Sequence, residues 1–137
     1  MSPRRWSRTA GRITTALALF GGVYLYLRIE VMTLPVAGCS PLFGIDPGQR
    51  LLLDRKPANL AQGDMVLFTD PSGALHMARL APPPLDLAPE ARAELDAGAL
   101  WLHVEREDCP APDSRSLGPV TRSAIEAKIV TALRFGD

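Results

Sequence analysis

Aromatic residues, histidine and cysteine are all scarce in this chain, and it carries no net charge. Aromatics make up 6% of 137 residues, against thirteen prolines and eleven glycines. That balance leaves little material for long packed helices and favours short elements separated by turns. Two cysteines and two histidines, scattered rather than grouped at ligand spacing, exclude the common zinc motifs, so neither a metal nor another cofactor is expected. Fifteen basic residues balance fifteen acidic ones. Without a basic excess on the folded part, nucleic acid is not an expected partner. A hydrophobic content of 47% with 22% charged residues is ordinary for a globular chain and excludes a disordered tail.

A long hydrophobic run is also nearly lacking. Ile13 to Leu27 is free of charge for fifteen residues, preceded by Arg4, Arg5, Arg8 and Arg12 and followed by Arg28, Glu30 and a second apolar stretch to Gly38. From Val31 onward ten basic residues face fourteen acidic ones. A basic cluster, an apolar segment and an acidic remainder have the pattern of a membrane anchor, with Arg28 able to snorkel and Tyr24 and Tyr26 suited to the interface. The expectation is a basic cytoplasmic N-terminus over 1–10, a transmembrane helix over 11–31 and an exported β domain over 32–137. This predicts a single-pass protein of the cell (inner) membrane, with membrane lipid as a partner and the C-terminal domain on the outer, periplasmic side. A cleaved secretory signal is a rival reading, opposed by Arg28 and Glu30 where its small-residue site would fall. A lipoprotein box at Val36-Ala37-Gly38-Cys39 is another, opposed by its distance from the apolar run.

Beyond Gly38, short apolar runs alternate with turn signals: residues 50–55, 64–70, 74–80, 99–104 and 127–135 each have strand length and are bounded by Gly, Pro, Asp or Asn. Residues 89–97 suit a short helix with few core positions, and Ser123 to Ala127 a turn of helix. The fold class expected is mainly β, a small domain preceded by one helix.

The order of these pieces resembles type I signal peptidases. Ser40 is followed eight residues later by Gly48-Gln49 and the RLLLDR strand, as that family's nucleophile serine is followed by Gly-Asp and a hydrophobic strand. Gln62-Gly63-Asp64 leads into Met65 to Phe68, similar to a second family strand. Asp113-Ser114-Arg115-Ser116-Leu117-Gly118-Pro119-Val120 resembles the family's Asp-Ser-Arg segment. The resemblance covers about residues 12–135 and implies a small signal-peptidase-like β fold, with a serine endopeptidase activity on exported precursor polypeptides bound as an added strand.

The same resemblance implies what is missing. A serine hydroxyl needs a base, and the family uses a lysine of lowered pKa. Its place here is Ala78, beside the matching Arg79. The neighbouring positions also depart, with Pro41 and Phe43 after the serine, Glu105-Arg106-Glu107 in place of Gly-Asp-Asn, and Ala111 where a serine supports the base. Lys56 and Lys128 fall at strand ends. His76, two residues before Ala78 on the same strand face, is a weak candidate base, whereas His103 suits an outward strand position. Trp101 suits the core or a membrane-facing surface. Asp113 and Arg115 would form an ion pair bracing the site floor, without proton transfer. Cys39 and Cys109 fall on two segments that meet in the resembled fold, which implies a disulfide beside Ser40. Two functions stay open: a membrane-anchored endopeptidase, and a non-catalytic binding or assembly subunit of a membrane complex.

Overall fold

The computed structural model describes residues 3–34 and 38–134, with side chains from residue 11 onward. Helix α1 (Pro3–Arg28) leads directly into strand β1 (Ile29–Thr33). After a loop come β2 (Arg50–Asp54), β3 (Met65–Thr69), β4 (Leu75–Leu80), α2 (Pro89–Asp96), β5 (Leu102–His103), α3 (Ser114–Leu117), a 3-10 turn (Arg122–Ala124) and β6 (Ile125–Leu133). The strands form one sheet in the order β1-β2-β6-β3-β4-β5, antiparallel at every pairing. Strand β6 therefore sits centrally although it comes last.

Strand alternation sorts the core into two clusters. Leu51, Leu53, Leu67, Met77, Ala127 and Ile129 pack on one face with Leu34, Leu42 and Ile45. Val66, Phe68, Ala78 and Leu80 turn to the other, against Leu102, Val104 and Val120. Consecutive residues Val66, Leu67 and Phe68 are all buried because β3 is covered on both sides. Full burial of each large side chain contributes about 1.5–3 kcal/mol.

The strands expected at 50–55, 64–70, 74–80 and 127–135 correspond to β2, β3, β4 and β6, with Phe135 outside the described residues. The run 99–104 is reduced to a two-residue strand, because the Trp101 carbonyl accepts from Ala81 N–H and Leu100 bridges to Val120 instead. Trp101 is buried in the protein core.

The anchored architecture requires correction. Among the described residues no helix is long and apolar enough to cross a membrane. Helix α1 spends its first ten residues on a segment with four arginines, and its charge-free stretch of fifteen residues covers only ~22 Å of a ~30 Å hydrocarbon core. Two threonines and two glycines dilute that stretch further. Nor does the helix run over 11–31. It stops at Arg28, where Ile29-Glu30-Val31-Met32-Thr33 supplies β-branched residues at alternate positions and pairs with β2. The boundaries expected at 11, 31 and 32 are thus replaced by a helix to Arg28 and a sheet that begins at Ile29. The single-pass membrane location and the fold class of a β domain behind a transmembrane helix are overturned together.

Candidate functional site

The loop after β1 carries Ser40 and is fastened at several points. Leu42 and Ile45 are buried in the first core cluster. Cys39 is bonded to Cys109, with Cα atoms 5.6 Å apart. The Pro41 carbonyl accepts N–H bonds from Glu105 and Arg106, each at 3.1 Å. The Glu105 carboxylate accepts the Phe43 N–H at 2.8 Å, and its other oxygen pairs with Arg79, whose guanidinium also donates to the Gly63 carbonyl at 2.7 Å. Glu105 therefore ties the loop to β4. In the sequence Glu105 stands out only as a departure from the resembled motif, and no local pattern signals its partners.

Within this frame the Ser40 hydroxyl is wholly buried and bonded to its own loop. It donates to the Leu42 carbonyl at 3.1 Å, and the Leu42 N–H points back at 3.4 Å. A serine closing such a turn satisfies its polar atom locally. Ala78 is fully buried among Val66, Phe68 and Leu80, on the sheet face opposite to Leu42. The position expected of a base is thus part of an apolar core.

His76 is engaged elsewhere. Its Nε2 lies 2.8 Å from Asp70 Oδ2, and its ring sits 5.7 Å from that of Phe68, its cross-strand neighbour. Asp70 also accepts from Ser72 N–H, Ser72 hydroxyl and Ala74 N–H, so it organises the β3–β4 hairpin turn. The Ser72 hydroxyl, then His76 and the two backbone N–H groups, hold the Asp70 carboxyl well below the usual range against an opposing effect of burial. His76 reads as a hairpin clamp, and the bonds of Ser40 run to Leu42 rather than to it. Lys128 is also occupied, with Nζ 3.0 Å from Asp64, and Lys56 is exposed.

A scan against protein-family models, a search of curated proteins and a search of solved structures each return no match for this chain. The site must be read from its own geometry. Asp113 is buried and caps α3, accepting Arg115 N–H at 2.9 Å and Val104 N–H at 2.9 Å, while the Arg115 guanidinium pairs with it. Burial pushes the Asp113 carboxyl up, but Arg115 and the two N–H groups outweigh it and leave the pKa lowered. The next residue, Ser114, accepts Leu102 N–H at 2.8 Å. Asp113 and Ser114 together substitute for strand partners along β5. His103 stands at 3.8 Å from Asp113 and is half exposed. The Asp113–Arg115 pair is structural in this geometry.

Beside the disulfide lies a cleft of about 500 Å³, lined by Met32, Leu34, Pro41, Leu67, Met77 and both cysteines, with His76 and Ala111 also on its wall. Its lining is mostly apolar. Ser40 is on the wall neither of this cleft nor of a second one of about 420 Å³, between the hairpin turn and Leu117 to Glu126, which also lacks the cysteines. Among the described residues no group of three or more His, Cys, Asp or Glu side chains could hold a metal ion.

The first cleft adjoins a sheet edge. Among the described residues strand β1 is terminal in the sheet, with β2 on one side only. The Arg28 carbonyl and the Leu34 N–H both bond toward β2, to Arg55 and Gln49. In an antiparallel pair the intervening odd residues turn their N–H and C=O the other way. Ile29, Val31 and Thr33 thus present backbone groups along an open edge. This edge strand was not expected from the sequence, although the alternation of Ile29, Val31 and Thr33 was a signal for it.

Proposed function

We propose that the chain is a non-catalytic relative of type I signal peptidases that binds an extended, apolar segment of a precursor polypeptide. The observation that carries this reading is the Ser40 hydroxyl, buried and donated to the Leu42 carbonyl of its own loop, with Ala78 at the place of the base. A nucleophile must reach both its base and the carbonyl it attacks. Ser40 here meets a carbonyl of its own backbone. What remains of the site is suited to binding: an open strand edge at β1 supplies backbone partners, and the adjoining cleft takes apolar side chains. The disulfide and Glu105 hold the cleft wall in place, which lowers the ordering cost of binding.

The test combines turnover with binding. Incubation with precursor polypeptides should give no cleavage that Ser40→Ala removes, and an apolar peptide should slow amide exchange at Val31 and Thr33. Cleavage lost in Ser40→Ala would return the chain to the serine endopeptidases. Unchanged exchange along β1 at saturating peptide would remove the binding role.

A further inference from the structure

Nine large apolar side chains between Ile13 and Leu27 are more than half exposed along α1. They amount to on the order of 1,000 Å² of apolar surface. That exceeds the few hundred Å² a lone soluble chain ordinarily presents; Ile13, Leu17, Phe20, Tyr24 and Leu27, which share one face, account for roughly 600 Å² of it, approaching the ~800 Å² per partner of a stable interface. The sheet does not cover it, because the end of α1 is fixed outward at its junction with β1. Arg28 is tied there to Asp54, and the Arg28 guanidinium also bonds the Tyr24 hydroxyl.

The spacing of these residues is specific. Ile13, Leu17, Phe20, Tyr24 and Leu27 follow one another at alternate steps of four and three, and each is between 57% and 76% exposed. Thr15, Ala18 and Gly22 lie on the far side of the helix, with Leu19 and Tyr26 beside them. A run at this 3.5-residue period is the seam of a two-helix coiled coil.

We propose that α1 pairs with α1 of a second copy of this chain, antiparallel, through this seam. Leu17 of one copy then sets against Phe20 of the other, and Ile13 against Tyr24, a self-complementary two-fold arrangement. Charge selects the antiparallel direction. Each helix begins with Arg4, Arg5, Arg8 and Arg12. A parallel pair would crowd the arginines of both copies at one end. The antiparallel pair sets the two basic segments at opposite ends of the seam.

Sedimentation equilibrium of the full chain over a micromolar concentration series tests this. The expected mass is that of a dimer. Phe20→Glu should raise the dissociation constant by about tenfold or more, because a carboxylate would be buried in the seam of both copies. Leu19→Glu, off the seam, should leave it within about threefold. Raising the salt concentration should leave association within about threefold if the helices are antiparallel, whereas it would relieve the repulsion between arginine clusters in a parallel pair. A monomer throughout the series overturns the proposal, as does a monomer that co-sediments with lipid vesicles. Equal loss from Leu19→Glu and Phe20→Glu overturns the seam, and association strengthened by salt overturns the antiparallel direction. Circular dichroism of each variant, unchanged in helix content, separates lost association from lost folding.

Discussion

Arg28 meets Asp54 through two parallel hydrogen bonds, Nε to Oδ1 at 2.9 Å and Nη2 to Oδ2 at 2.7 Å. The pair joins the last turn of α1 to the second strand of the sheet. Asp54 Oδ1 also accepts the Lys56 N–H at 3.0 Å, and the Arg28 carbonyl receives Arg55 N–H at 2.8 Å. Arginine is suited to this junction because its planar fork matches a carboxylate with two bonds at once. Asp54→Asn keeps the size of the side chain and removes its charge. The expected outcome is faster amide exchange over Tyr24 to Arg28, with the β3–β4 amides unchanged. Uniform acceleration through the sheet would show that the junction supports the whole fold instead.

Acid should destabilise the protein through a defined set of carboxylates. The Asp54 pKa is lowered chiefly by Arg28, that of Asp64 by the Ala61 N–H, and that of Asp70 by the Ser72 hydroxyl. Arg115 and two N–H groups lower Asp113 against the effect of burial. Each group binds its proton less readily folded than unfolded, where a carboxyl titrates near ~3.9. Their stabilisation is therefore fully present above that value and is lost as pH falls through the lowered folded values. Urea midpoints should be flat above about pH 5 and decline steadily below about pH 4. Carbon-13 titration of the four carboxyls checks the assignment, and midpoints at ordinary values for all four would contradict it.

How far these features could be read beforehand depended on whether the signal was local. The alternation of Leu51 and Leu53, or of Val66 and Phe68, reports a face of the sheet and needs only neighbouring residues. The turn Asp70-Pro71-Ser72-Gly73 is similarly local, and His76 follows it across the hairpin. Strand β1 escaped because Val31, Met32 and Leu34 extend the apolar run of α1, and composition alone does not separate a strand from the end of a helix. For the same reason the helix ends three residues before the expected boundary at 31, although it begins eight residues before the one at 11. At the candidate site, sequence singled out Ser40, and Ala78 where the resemblance implies a lysine, but not the direction of the hydroxyl. That direction is set by Leu42 and Ile45 entering the core, and by Glu105 sixty-two residues away from Phe43.

The disulfide should contribute more to stability than any single contact in the loop. Cys39 and Cys109 are separated by 70 residues, and closing a loop of that size restricts the unfolded chain by about 4 kcal/mol. The double variant Cys39→Ala, Cys109→Ala should lower the unfolding free energy by roughly that amount. Because Pro41 and Phe43 keep their bonds to Glu105 and Arg106, the loop should hold its place under native conditions. Urea unfolding with paired amide exchange of Phe43 separates the two effects. A lost Phe43 protection in the folded double variant would show that the bond, rather than Glu105, positions the loop.

Placing a lysine at Ala78 tests the reading of the site most directly. If Ala78 faced an active-site cleft, Ala78→Lys would place an amine near Ser40 and could confer hydrolysis. Ala78 instead has no exposed surface and packs against Val66, Phe68, Leu80, Leu102, Val104 and Val120. A lysine there must either bury its charge or lose its proton, and overpacking adds to the penalty. The expected loss is about 3 kcal/mol or more. Ala78→Leu, which adds volume without charge, should cost about 1–3 kcal/mol. The difference between the two variants should shrink as pH rises through the lowered amine pKa, because the unfolded lysine titrates near ~10.4 and the buried one below it. Urea unfolding from neutral to alkaline pH measures that convergence. A stable Ala78→Lys protein that cleaves a precursor polypeptide, and loses cleavage on adding Ser40→Ala, would show that the apolar core had displaced a base from an otherwise intact catalytic site.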